Sequence, residues 1–139
     1  AVTPQNGIAL ATMLRDLPRR SGDDPTPEAV LDELQNGNRG VLGHQDPSDG
    51  KVWDQIFQTR WTDNVRGTAD DRRLERPKTV FGSAIFATMQ ALCAQVFARH
   101  GRGAQRTAYA RRCLTAGAKA LAAWPETDGR TTALAWQTI

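Results

Sequence analysis

Apolar residues recur along this chain at helical spacing, in blocks separated by Pro- and Gly-rich breaks. Leu10, Met13, Leu14 and Leu17 share one face, which predicts a short helix over 7–17 that Pro18 ends. Thr26, Pro27 and Glu28 then give an N-cap, a first-turn proline and an acid on the positive end of the dipole. The helix they open is predicted over 27–44, on Val30, Leu31, Leu34, Val41 and Leu42. Its stripe is broken at position 38, which should be apolar and is Asn. Asn36, Gly37, Gly40 and Gly43 weaken it further, with each Gly costing roughly 1 kcal/mol against Ala.

The turn "QDPSDGKVW" follows, then residues 53–77 without a steady period. A loop of that length inside a compact domain is often functional. Phe81, Ile85, Met89, Leu92 and Val96, widened by Ala84, Cys93 and Phe97, predict a long buried helix over 79–99 that stops at "HGRG". Tyr109, Cys113, Leu114, Ala118 and Leu121 predict another over 104–123, ended by Pro125, and "TALAW" starts a further helical pattern. No segment reads as a strand. The expected fold is all-α, built of antiparallel helical hairpins.

With 40% hydrophobic and 24% charged residues among 139, the chain can bury the core of a single domain. Its net charge of +3 comes from fifteen Arg and three Lys set among acids, so no basic face of the kind that binds nucleic acid is expected. No uninterrupted run reaches the roughly 18 apolar residues that span a bilayer, so no membrane partner is expected. Cys93 and Cys113 have no CxxC or Cys–His company, which argues against zinc and for buried free thiols, with a disulfide the lesser alternative. Neither another metal nor a cofactor is expected. The opening "AVTPQNG" has no start Met, and suggests a processed chain or a fragment.

Three stretches, taken in order, resemble the middle of a family 9 glycoside hydrolase, the cellulase family built as an (α/α)6 toroid. In "LDELQNGNRGVLGHQDPSDGKVW", Leu31, Asp32, Glu33, Gly37, Val41, Leu42, Gln45, Asp49, Gly50, Val52 and Trp53 follow the family's helix, turn and Val–aromatic pair. "WTDNVRGTADDRRLERP" is similar to its loop along the substrate cleft, closing with an Asp–Arg and a Pro. The stretch from "FGSAIFATMQALC" to "YARRCLTAGAKALAAW" resembles its Ala-rich hairpin. The likeness covers most of residues 7–124, and departs where Asn36, Asn38 and Gly40 replace bulky groups. It implies a partial toroid, with Gly37, Gly40 and Gly43 allowing close helix approach.

The resemblance also implies hydrolysis of β-glucan-type bonds by an inverting acid–base pair, in a secreted or periplasmic setting. Such a pair holds its carboxyls roughly 6.5–9.5 Å apart. The family's "DAGD"-type base motif, its C-terminal acid Glu and its His–Arg substrate motif are all missing here, so no catalytic residue carries over. His44 and His100 match nothing catalytic, and His100 is expected to cap a helix C-terminus.

What remains is one flank of a cleft. Trp61 is either a stacking platform for a sugar ring or an anchor for its loop, and Trp53 poses the same alternative. Arg72 either pairs with Asp70 or Asp71 or donates to sugar hydroxyls. Trp124 and Trp136 are expected in the core. The expected partners are a carbohydrate and either the rest of the same domain or a second copy, because the 79–99 stripe is too wide for four helices to cover. Two other readings stand beside this one: a non-catalytic helical interaction module, and a nucleic-acid binder using Arg99, Arg102, Arg106, Arg111 and Arg112.

Overall fold

The computed structural model describes residues 11–13, 15–16, 26–54, 56–58, 73–75 and 77–124. These hold three long helices, α1 (Thr26–Leu42), α2 (Val80–His100) and α3 (Gly103–Ala122). Two short strands, β1 (Ile56–Gln58) and β2 (Arg73–Glu75), pair antiparallel. Residues 11–13 and 15–16 are also helical. The fold is all-α, and the predicted boundaries of α1, α2 and α3 hold to within one or two residues, while the bounds expected for the 7–17 helix lie outside the described residues. The strand pair lies in the stretch expected to be a loop. Each strand is three residues long, too short to show alternation in sequence.

α2 is the central element. Thr79 opens it, its hydroxyl accepting from the Gly82 N–H at 3.0 Å. Its buried residues, from Ser83 through Phe86, Met89, Leu92 and Val96 to Phe97, occupy roughly two-thirds of the circumference at 100° per residue. By length and composition alone it could cross a membrane, at a mean hydropathy of 1.5, although Gln90 and Gln95 interrupt its apolar run. Most of it is buried inside the protein, as a core helix is. Phe86 and Phe97 are buried, while Phe81 is 70% exposed, as are Met13 (70%) and Leu114 (56%).

α3 turns back along α2 after the bend at Gly101 and presents Tyr109, Ala110, Cys113, Ala116, Gly117 and Ala120 to the core. This stripe is rotated away from the predicted one, leaving Leu114 and Ala118 on the solvent side. Small residues win the inner face because the two helices are close together. A Cβ on Gly117 would lie 3.3 Å from both the Ala87 carbonyl oxygen and the Gln90 Cβ. The close approach was expected instead at the α1 glycines. Gly40 has nothing within 4 Å of where its Cβ would stand, and Gly43 meets only the end of its own helix.

α1 crosses this pair and buries Leu31, Leu34, Asn38 and Val41. Fully burying an aliphatic side chain of this size is worth about 1.5–3 kcal/mol. The break at Asn38 is a polar contact at the centre of the bundle. Asn38 is 0% exposed, its amide donating to Gln90 Oε1 (3.0 Å), Tyr109 Oη (3.1 Å) and Cys113 Sγ (3.4 Å). Gln90 returns a bond to Asn38 Oδ1 at 2.8 Å, and the Tyr109 hydroxyl donates to the Gln35 carbonyl at 3.4 Å. Tyr109 also meets Phe97 edge to face, with ring centroids 4.8 Å apart. At one end of the contact, Arg106 binds Gln35, Asp32 (2.6 Å) and Glu28 (3.2 Å), tying α3 to α1. Arg106 is thereby committed to the fold, which removes one member of the basic set considered for nucleic acid.

Substituting Asn38 alone strands the Gln90 amide, and leaving a buried polar group without its partner costs about 1–3 kcal/mol beyond the cavity formed. Asn38→Ala should therefore lower stability by about 2–4 kcal/mol in urea unfolding. Asn38→Leu combined with Gln90→Leu should recover most of that loss, because both partners become apolar at similar volume.

Candidate functional site

Trp53, the one predicted sugar-contact residue within the described part, stands where the 46–51 turn, the strand pair and the start of α2 converge. Its N–H donates to the His44 carbonyl at 3.0 Å, and across it lies an antiparallel bridge to Lys78. That bridge keeps the register of β1 and β2, lying three residues before Ile56 and three after its partner Glu75. The bridge and the strand pair thus share one ribbon register, whose foot rests on the helices. Gln45 pairs with Val52 on the other side of this foot. Trp53 is half-buried, with the Lys78 ammonium 5.1 Å from its ring centroid. Its backbone is held by these bonds, and its ring is partly accessible.

The foot is fixed by charge. Lys78 Nζ lies 2.5 Å from Asp46 Oδ2 and 2.9 Å from Asp49 Oδ2. Asp46 also accepts from the Ser48 N–H (2.8 Å) and hydroxyl (2.6 Å), which winds the turn. The bonds from Lys78 and then Ser48 hold the Asp46 carboxyl well below the usual carboxylate range. Asp49 is lowered chiefly by its bond from Lys78, and Lys78 is raised chiefly by Asp46 and then Asp49. The shared ammonium thus favours the ionised form of both carboxylates.

Further contacts seat the turn on the bundle. Gln45 Nε2 donates to the Gly50 carbonyl (2.9 Å) and to the Ala116 carbonyl on α3 (3.0 Å). Gly50 has φ +80°, and a Cβ there would come within 2.8 Å of the Lys119 side chain, so the turn requires glycine. Lys119 donates to the Pro47 carbonyl at 2.7 Å. The ribbon joins α2 through Asp54, which accepts the Thr79 hydroxyl and donates its N–H to the Pro77 carbonyl at 3.3 Å. Ser83 accepts from the Val52 N–H (3.2 Å) and from Trp124 Nε1 (2.9 Å). Trp124, expected in the core, is half-buried with Lys51 Nζ 4.3 Å from its ring centroid.

Trp61 and Arg72, with Asp70 and Asp71 beside the latter, lie outside the described residues, as does Trp136. Lys78 and Ser83 were missed in sequence, since their partners are about thirty or forty residues away. Among the described residues, no group of three or more His, Cys, Asp or Glu is placed to hold a metal ion. The arrangement is chemically a mount: it fixes one aromatic ring and the root of a ribbon.

A solved structure described as Bacteroides ovatus GH9 is similar to this chain, with a TM-score of 0.60 at 22% identity over 87% of the chain. The chain spans 24% of the length of that protein. The fold is that of part of an (α/α)6 toroid. No family model matches the chain. No curated protein matches it either.

Acid should weaken the foot. Asp46 and Asp49 have folded pKa values below the unfolded value of about 3.9, so the stability they contribute is complete above it and is lost as pH falls through the folded values. Thermal unfolding followed from pH 7 to pH 2 should show the midpoint dropping below about pH 4. Lys78→Met should unfold at lower temperature at pH 7 and show a shallower acid dependence, because its carboxylates have lost their common cation.

Proposed function

We propose that this chain forms one flank of the substrate cleft of a glycoside hydrolase resembling family 9. Completed by the rest of its toroid, the enzyme hydrolyses β-glucan-type glycosidic bonds with inversion. The observation that supports this most is the similarity of 87% of the chain to part of the Bacteroides ovatus GH9 structure. The three family-like stretches run in the same chain and add to it. In this reading the flank binds sugar and the catalytic acid and base come from elsewhere in the domain. Trp61 stacks on a sugar ring, Trp53 supports or extends that platform from the ribbon foot, and Arg72 donates to hydroxyls. The partner protein surface is the remainder of the same domain, or a second copy. A secreted or periplasmic location belongs to the same proposal.

A second reading, a non-catalytic helical binding module, is favoured by one observation. The carboxylates at the foot, Asp46 and Asp49, share a single ammonium, Lys78, and are engaged in fixing the turn. The two readings differ in what carbohydrate does to the chain. Under the first, titration with cello-oligosaccharides should perturb the tryptophan fluorescence of the isolated chain, and Trp61→Ala should remove most of that response. No response at millimolar sugar would leave the interaction module as the better account.

The isolated chain should not hydrolyse soluble β-glucan, since the acid–base pair of the family has no counterpart here. A reducing-sugar assay checks this. Turnover abolished by replacing one of the chain's own carboxylates would overturn the assignment of the chemistry to other parts of the domain.

A further inference from the structure

We propose that Cys93 and Cys113 are a cross-helix pair that closes into a disulfide when the chain folds in an oxidising medium, stapling α2 to α3. The helix register carries the argument. Phe97 packs on Tyr109, with ring centroids 4.8 Å apart, and Gly117 sits against Ala87 and Gln90. Cys93 lies between Gln90 and Phe97 on α2, and Cys113 lies between Tyr109 and Gly117 on α3. These contacts, one above and one below, bring the two cysteines to the same level of the α2–α3 hairpin. Both are 0% exposed free thiols. The Asn38 amide reaches both Gln90 Oε1 (3.0 Å) and Cys113 Sγ (3.4 Å), so Cys113 points into this same contact. The small residues Ala94, Ala110, Ala116 and Gly117 around the pair keep the backbones close, as the short Cβ–Cβ span of a disulfide requires.

The step is a thiol–disulfide exchange with a small-molecule disulfide such as oxidised glutathione. One cysteine thiolate attacks a sulfur of glutathione disulfide, forming a mixed disulfide and expelling one glutathione thiolate. The second cysteine thiolate then attacks the protein-side sulfur, forming the Cys93–Cys113 bond and expelling the other. Two electrons pass from the protein to glutathione, and the two thiol protons end on the released glutathione thiolates. Burial pushes the Cys113 thiol up to about 12 and Cys93 further up, with Cys113 adding to the latter, so thiolate is scarce once the helices are packed. The bond therefore forms while the hairpin is assembling.

The test is to refold the 139-residue chain with reduced and oxidised glutathione, denature it, alkylate it with iodoacetamide and weigh it. A parallel sample is refolded under reducing conditions. The reduced sample should take up two alkyl groups and the oxidised one none, as a monomer with unchanged helical circular dichroism. Closing this loop should raise the thermal midpoint by about 10 °C over the reduced form. Cys93→Ser and Cys113→Ser should show no such rise in the oxidising buffer. Two free thiols after oxidative refolding, disulfide-linked dimers, or a bridged chain with lost helix or a lower midpoint would each overturn the proposal.

Discussion

Two carboxamides facing each other across the bundle, Asn38 on α1 and Gln90 on α2, constrain how the three helices meet. Each donates to the other, and the Asn38 amide also reaches Tyr109 and Cys113 on α3. A hydrophobic contact tolerates sliding, because one methyl replaces another. An amide pair does not, since any shift leaves a polar group dry and unpaired. The network thus selects one register among the several that the broad apolar surface of α2 would accept. It also explains how a helix with poor propensity persists: α1 is held by what it touches, which outweighs the local cost of its glycines and asparagines.

The far end of the bundle solves a different problem with a different kind of contact. There the chain must leave the helices, run out as a ribbon and return to start α2. Charge does that work through Lys78, Asp46 and Asp49, helped by Gln45 and Ser83, whose bonds join backbone segments far apart in sequence. An exposed ion pair contributes little by itself, but one ammonium shared by two carboxylates on a tight turn fixes direction as well as distance. A dry amide node fixes the body, and a wetter ionic node fixes the limb.

The helices were legible because each buries a stripe at a regular period and ends at Pro or Gly, so α1, α2 and α3 fall within one or two residues of expectation. The rotation of α3 was not legible. Leu114 outranks Ala116 and Gly117 in apolarity, and only the closeness of α2 reverses that order. Position 38 was visible as an anomaly but not as a solution, because its partners are 52 to 75 residues away. At the candidate site, Trp53 was singled out from a local motif, while Lys78 carries no local mark of its contacts. Its meaning comes from a turn about thirty residues earlier in the chain.

Because the Trp53–Lys78 bridge and the β1–β2 pair share one register, the short spacers between them have little freedom to change in length. Removing one residue between Trp53 and Ile56, or between Glu75 and Lys78, would put the two contacts out of phase and turn side chains to the opposite face. The spacing of the foot, from Trp53 to Ile56 and from Glu75 to Lys78, is therefore the part of the ribbon least free to change in length.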